Sequence, residues 1–392
     1  SVLFFVAYWV IDITGTKLAR DGAVGPFHGV FFSSYVLLPT GLFLSWKAIN
    51  DSSFINMDAF KSLWRKIKLK VMGLFKQKRI VYMGTPEFAV APLDALIRQG
   101  YEIAGVVTVA DKASGRGLKI NESAVKKYAV EHNIPVLQPV SLKDPEFLEA
   151  LKAWKADLFV VVAFRMLPEV VWAMPKMGTF NLHASLLPEY RGAAPINWAI
   201  INGDKRTGVT TFLLNHEIDK GAIIEQEAVD ILDEDNIGTL YDKLMNIGAE
   251  LVLKTVDKVA EGGYEVIEQM HIDESTLRPA PKIFKDDCLI KWDKRGEDIV
   301  NLVRGLSPYP AAWTYIYKDG AECGTAKIFK VRFEVDNREG SAGRVVTDGR
   351  SYFGVRCADG VVYIEELQMA GKKRMAIKDL LLGWRDAVEV TF

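Results

Sequence analysis

Cysteine is scarce in this chain. Among 392 residues there are three, Cys288, Cys323 and Cys357, an odd number set far apart. They build neither a disulfide framework nor a zinc knuckle, and a reducing compartment is their natural setting. Histidine is scarce as well: none of His28, His132, His183, His216 and His271 pairs as HxxH or HxxxH. No metal is therefore expected. Bulk charge of either sign is missing too, with 49 Lys and Arg against 50 Asp and Glu. That excludes a histone-like polycation and an acidic tail. With 31 Gly, 15 Pro and 49% hydrophobic residues, collagen-like repeats and disorder are excluded. The length suits two or three domains.

The neutral total conceals three unlike regions. Residues 1–77 carry nine basic and four acidic groups, residues 78–280 carry 21 and 29, and residues 281–392 carry 19 and 17. The first region is apolar. From Gly22 to Trp46 there is no Asp, Glu, Lys or Arg over 25 residues, enough at about 1.5 Å per residue to cross a hydrocarbon core of about 30 Å. Pro39 is tolerable there in lipid but would break a soluble helix. Val2–Ile11 is apolar as well and reads as half of a second span. The stretch Lys61–Lys70 is basic, as on a cytoplasmic flank. A signal peptide fits poorly, because the run is too long and is preceded by charges; a buried hairpin of a soluble protein is the other reading. Thr14–Gly22, with apolar stretches on both sides, resembles the C-terminal end of the permease subunits of lipopolysaccharide-export transporters. That resemblance implies a permease tail joined to an unrelated enzyme. Met72 precedes the first strand of the body and is a candidate start for the enzyme alone. The body is then expected in the cytoplasm, with the inner membrane as the location if residues 1–77 are retained.

Residues 78–272 read as an α/β catalytic domain. Arg79–Gly84, Ile103–Thr108 and Leu158–Ala163 are strand-like, and Glu122–Glu131 and Pro145–Lys155 are helix-like. Thr85 is placed to cap a helix that starts at Pro86 and runs to about Gln99. Strands alternating with helices imply a doubly wound, mostly parallel sheet. A dinucleotide is nonetheless not expected. Met83-Gly-Thr-Pro-Glu-Phe88 has one glycine where G-x-G-x-x-G has three, and Pro86 lacks an amide that a pyrophosphate would need.

Thr179–His183 reads as a further strand, so Asn181 and His183 share a face, about 6.6 Å apart along it. Ser185–Gly192 is a loop beyond the strand's carboxyl end, where ligands of open α/β sheets sit. Val209–Leu214 is another strand, followed by a polar turn with His216 and Asp219. An amide, an imidazole and a carboxylate suit acyl transfer: Asn donates to an oxyanion, His moves a proton near pH 7, and Asp tunes the His. By themselves the three also fit structural roles, with Asp219 capping a turn and His216 on the surface.

Asn181-Leu-His183-Ala-Ser-Leu-Leu-Pro188-x-x-Arg191-Gly192, with Asp219 thirty-six residues after the His, resembles the folate-dependent formyltransferases. Within them the chain is similar to the members that act on methionyl initiator tRNA. Arg79–Val90, Lys112–Lys119, Asn301–Pro310 and Ala370–Met375 carry the same likeness, which runs from about Lys78 to Trp384. It implies formyl transfer from 10-formyltetrahydrofolate to the amine of methionyl-tRNA, with Asn181, His183 and Asp219 as catalytic residues. Ser185, Leu186, Leu187 and Pro188 would line the folate site; Arg191 would join them or serve as a structural loop arginine. The alternatives are another amine acceptor (a purine precursor or an aminosugar nucleotide), a membrane-tethered fusion, or an inactive binding module.

Binding of tRNA by an acidic body requires local basic patches. Lys112, Arg116 and Lys119 in the Gly-containing loop are one, and Lys372, Lys373 and Arg374 another. Arg344, Arg350 and Arg356 are further candidates, and each patch also reads as a solvated charged face. Residues 273–285 are the expected linker. The short alternating runs of residues 286–392 indicate a small barrel, OB-like by the resemblance. A monomer is expected.

Overall fold

A computed structural model describes residues 2–20, 31, 34–35, 37, 78–114, 119–269, 273–336, 338, 340–384 and 387–392. The chain divides into two compact units, residues 1–72 and 73–392. In the first, helix α1 spans Val2–Arg20 and closes with Lys17 and Arg20 in its last turn, where cations complement the helix dipole. Nearly all of the uncharged run Gly22–Trp46, and all of Lys61–Lys70, lie outside the described residues. Among the described residues, no helix is long and apolar enough to cross a membrane.

The second unit begins with an α/β layer. Its strands are β1 (Arg79–Gly84), β2 (Glu102–Val107), β3 (Lys112–Ser114), β4 (Lys119–Asn121), β5 (Val136–Leu137), β6 (Leu158–Val162), β7 (Thr179–His183), β8 (Arg206–Leu213) and β9 (Ile223–Asp230). The helices are α2 (Val90–Arg98), α3 (Ala124–Glu131), α4 (Pro145–Ala153), α5 (Glu169–Trp172), α6 (Pro195–Ile201) and α7 (Ile237–Glu261). The main sheet runs β5-β2-β1-β6-β7-β8-β9. It is parallel as far as β7, after which β8 and β9 turn antiparallel. Strand β1 has no polar face because both faces are covered. Ile80 and Tyr82 join one core, Val81 and Met83 the other.

The first helix differs from expectation. Thr85 caps nothing; Glu87–Ala89 is a 3-10 turn after Pro86, and α2 starts only at Val90. The Phe88 amide donates to the Tyr241 hydroxyl at 2.8 Å, so α7 takes the group that would have opened a helix. Helix α7 itself is not among the elements expected from sequence. Asn236 and Thr239 form a capping box at its start, and Leu240, Leu244, Leu251, Val252 and Val256 bury its inner stripe.

The C-terminal part is an antiparallel barrel flanked by α8 (Gly296–Leu306) and α9 (Ile377–Leu381). Its strands are β10 (Ala312–Lys318), β11 (Ala321–Val335), β12 (Val345–Thr347), β13 (Phe353–Arg356), β14 (Gly360–Met369), β15 (Met375–Ala376) and β16 (Val390–Thr391). They follow the order β12-β13-β14-β11-β10-β16, with β15 on β14. A bridge between Arg344 and Thr391, beside the Phe392 amide donating to the Gly343 carbonyl, joins the first strand to the last. Closure of this kind leaves little open edge.

The barrel docks onto the α/β layer through α8. The Asn197 amide donates to the Gly305 carbonyl at 2.7 Å. A side chain at Gly305 would come within 2.5 Å of Ile201. Arg304 donates to the carbonyls of Asp235 and Leu232 at 2.8 and 2.6 Å. The buried Asp235 carboxylate anchors that corner, accepting from Lys243 at 2.6 Å, the Leu232 amide at 2.8 Å and the Thr239 hydroxyl at 2.9 Å. Burial alone would raise its pKa, but these donors outweigh burial and hold it below the usual range. A depressed carboxyl stabilises the fold above its unfolded pKa, and that contribution fades as pH falls through the folded value. Asp235→Asn should therefore cost about 1–2 kcal/mol at neutral pH, moderated by solvent at Lys243. It should also flatten the acid limb of stability against pH. Urea unfolding at several pH values checks both.

Candidate active site

The carboxyl end of β7 opens into a cavity of about 1400 Å³. Asn181 and His183 lie on its wall, as the period-2 spacing requires, and Asp219 joins them from the turn after β8. Asp219 holds a left-handed backbone, φ 55°, a conformation that Asp tolerates better than most residues.

The His183 ring is nearly buried, with a carbonyl on one side and a carboxylate on the other. Its Nε2 is 2.8 Å from the Tyr190 carbonyl oxygen. A carbonyl only accepts, so Nε2 carries the proton. The neutral ring then leaves Nδ1 bare, 3.9 Å from Asp219 Oδ2, beyond hydrogen-bond reach. The Tyr190 carbonyl thus fixes the tautomer of the neutral ring. Asp219 Oδ2 accepts instead from the Gly192 amide at 3.0 Å. A proton taken up at Nδ1 would face this carboxylate. Asn181 presents a buried Oδ1 with no partner among the described residues, which is uncommon outside functional sites.

The loop that supplies both contacts is itself tied down. The Tyr190 hydroxyl donates to Asp204 at 2.8 Å, and burial, with Asp204, pushes its pKa up. The Arg278 guanidinium lies 4.8 Å over the Tyr190 ring. The linker runs beside the loop in strand-like register. The Tyr190 amide donates to Arg278 O, the Ala193 and Ala194 amides to Ala280 O, and the Ala280 amide to Arg191 O, at 2.7–3.2 Å. Arg191 donates to the buried Gln269 at 2.8 Å, and Gln269 reaches the Asp219 and Gly221 carbonyls at 3.1 and 2.7 Å. Arg191 is thus a structural loop arginine.

Other expected residues fall elsewhere. Ser185 is fully buried and donates to the Glu189 carbonyl at 2.6 Å. The Leu187 amide bonds Thr210 at 3.1 Å, and the Leu187 side chain packs on Phe212 and Ile223. Neither these two nor Leu186 and Pro188 line the cavity; the turn braces the end of β7 from behind. Lys112 and Lys119 begin the paired strands β3 and β4, and Arg116 between them lies outside the described residues. On the barrel, Lys372 and Lys373 are exposed. Arg374 is bonded to Glu366 at 2.8 Å and stacked on Phe329. Arg344 and Arg350 are exposed. Arg356 is not available to a phosphate: it is 9% exposed and bonded to Asp336 and the Arg338 carbonyl. His216 is a turn residue as expected, yet it rims the cavity with its ring edge-on to Trp172.

Sequence reasoning missed the opposite walls. Phe164, Met166, Leu167 and Trp172 form an apolar wall with Arg165 among them, while Lys282, Pro308, Tyr309 and Pro310 come from the linker and barrel side. Only the Pro-Tyr-Pro run carried a signal, that of a rigid aromatic display. Among the described residues no group of three His, Cys, Asp or Glu is placed to hold a metal.

Comparison with known proteins gives a consistent picture. A family profile described as formyl transferase matches residues 78–256, and one described as formyl transferase, C-terminal domain, matches residues 282–385. A methionyl-tRNA formyltransferase of Bacteroides fragilis is 52% identical, the match covering 78% of this chain and 95% of that protein. One of Parabacteroides distasonis is 54% identical over 80% of this chain and 98% of its own. Among solved structures, an N-formyltransferase from Helicobacter canadensis bound to folinic acid and dTDP-3-aminofucose superposes with a TM-score of 0.54 at 20% identity. That match covers 76% of this chain and all of the other, a likeness of fold.

The Gly192 backbone lies at φ 127°, and a Cβ there would meet the Ala280 carbonyl oxygen at 2.4 Å. Gly192→Ala should separate loop from linker and move the amide that holds Asp219. The expected cost is about 1–3 kcal/mol, with turnover falling by roughly tenfold or more as the site loosens. Urea unfolding and steady-state kinetics together test this.

Proposed function

The chain belongs to the formyltransferases, in the branch of the methionyl-tRNA formyltransferases, and we propose that it passes the formyl group of 10-formyltetrahydrofolate to the free amine of methionyl initiator tRNA, supporting translation initiation. The observation that carries the assignment of residues is one cavity wall. It brings a buried acceptor without a partner among the described residues, Asn181 Oδ1, next to an imidazole whose bare nitrogen faces a carboxylate.

The neutral amine attacks the formyl carbon, a C–N bond forms, and the carbonyl oxygen becomes an oxyanion. Asn181 donates through Nδ2 to that oxygen, while its Oδ1 accepts from an amine N–H. His183 Nδ1 takes the proton that the amine loses, and Asp219 offsets the charge of the imidazolium. The same proton then goes to the folate nitrogen as its bond to the formyl carbon breaks, leaving tetrahydrofolate. The apolar wall around Phe164, Met166 and Trp172 fits the flat folate ring. Ser185–Pro188 serve the donor site by bracing β7 rather than by contact. The reading calls on no metal.

For the tRNA, the segment from Lys112 to Lys119, Arg116 included, is the specific contact we assign to the acceptor end. Lys372, Lys373 and Arg374 provide phosphate contacts on the barrel. Such contacts act locally and are compatible with the acidic catalytic domain.

Methionyl-tRNA, glycinamide ribonucleotide and an aminosugar nucleotide should be compared as acceptors. Formylation of methionyl-tRNA alone is expected; preferential turnover of either small amine would overturn the reading. Asn181→Ala and His183→Ala should each lower kcat on the order of 10²–10³-fold with little change in KM, and near-normal turnover in either would remove that residue from the mechanism. Arg116→Ala should depress formylation of methionyl-tRNA without altering folate binding. An unchanged rate would exclude that segment from tRNA recognition.

A further inference from the structure

The cavity has an aromatic side chain that the reaction above does not use. Tyr309 lines it from the barrel side and is 81% exposed. A single exposed aromatic is ordinary on a protein surface, but this one is presented rather than left over. Prolines 308 and 310 flank it and restrict its backbone. On either side the chain is buried, Leu306 at 0% and Ala311 at 2%, and the Ala311 amide donates to the Leu306 carbonyl at 2.9 Å. Pro308 packs against Gly238 at the start of α7, where a Cβ would be 3.1 Å from it. Among the described residues the Tyr309 ring and hydroxyl meet no ring, cation or hydrogen-bond partner. The loop is therefore rigid and its tip is unoccupied by the protein's own groups.

The chemistry around Tyr309 is that of a nucleic-acid contact. Lys282 lines the same cavity, exposed, with its ammonium 5.4 Å over the Phe284 ring. Lys327, also exposed, reaches the Pro310 carbonyl at 3.4 Å. Neither lysine is paired with a carboxylate among the described residues, unlike Lys205, Arg278 and Lys330. A flat ring with one lysine on the same cavity and another bonded to the residue next to it suits one unstacked base and the phosphates beside it. The acceptor substrate must deliver such a base. Its amine belongs to an amino acid esterified to the last ribose, so an amine at Asn181 and His183 brings the terminal nucleoside into the same cavity.

We propose that Tyr309 is the stacking platform for the terminal nucleobase of the aminoacylated strand, with Lys282 and Lys327 taking the adjoining phosphates. This rests on the acceptor being a charged tRNA. It adds a subsite that separates tRNA from small amines, which have no base to stack.

The test compares wild type with Tyr309→Ala, Tyr309→Phe, Tyr309→Trp and Lys282→Ala in steady-state formylation, varying methionyl-tRNA and 10-formyltetrahydrofolate separately. Thermal melting accompanies each variant, and the exposure of the ring predicts no shift. Tyr309→Ala should lose roughly tenfold or more in kcat/KM for methionyl-tRNA, the size of one base–aromatic stack, with the folate KM unchanged. Tyr309→Phe and Tyr309→Trp should stay within about threefold of wild type, since the π-face does the binding. Lys282→Ala should weaken tRNA use and reduce its salt dependence by about one phosphate contact. A Tyr309→Ala enzyme within twofold of wild type on methionyl-tRNA overturns the proposal. So does Tyr309→Phe failing as badly as alanine, which would assign the hydroxyl, or a rise in the folate KM alone, which would put the pterin on this ring. A wild-type enzyme that does not formylate methionyl-tRNA sinks the underlying reading before any variant is compared.

Discussion

A short backbone ladder between the linker and the loop after β7 sets the geometry of everything near it. Ala280 accepts from the amides of Ala193 and Ala194 and donates to the Arg191 carbonyl. The loop thus pinned contributes two backbone groups to the chemistry: the Tyr190 carbonyl that fixes the His183 tautomer, and the Gly192 amide that holds Asp219. Side chains reinforce it, the Tyr190 hydroxyl on Asp204 and Arg191 on Gln269. Backbone groups cannot rotate away once the ladder is closed, which is a means of preorganising a site.

The same ladder links recognition to reaction. The linker leads directly into Lys282 and the barrel, and the barrel is docked by Arg304 and Gly305 onto α6 and the corner at Asp235. The cavity consequently has a wall from each part of the body, with reacting groups on the α/β side and a Pro-Tyr-Pro tip on the other. Clefts of this type, between two structural parts, are where ligands of more than one component are brought together.

Charge follows a similar division of labour. The catalytic region is acidic, and much of its surface charge is neutralised in pairs such as Arg278–Asp204 and Lys205–Asp233. What remains for a polyanion is placement: the paired strands that Lys112 and Lys119 begin, and lysines such as Lys282 that have no carboxylate partner among the described residues. Long-range attraction from such a surface is weak at physiological salt, so orientation rather than net charge has to bring the acceptor strand in.

Much of this was legible in the chain itself. Strand β7 runs from Thr179 to His183 as the pattern predicts, and the alternation of its residues places Asn181 and His183 on one face. The winding of the sheet, its departure from a dinucleotide-binding first turn, and the strands of the barrel also follow from local periodicity and turn residues. Local signals failed where a distant group decided. The helix expected at Pro86 starts late because α7 claims the Phe88 amide; Arg356 is lost to nucleic acid because Asp336 takes it. By itself, then, the sequence determined which groups carry the chemistry and the face each strand presents, since neighbours in the chain are fixed covalently. Only the tertiary structure decided which imidazole nitrogen is bare, what Asp219 holds and what faces the site across the cavity. Those depend on hydrogen bonds between segments far apart in sequence, which form only when the chain has closed.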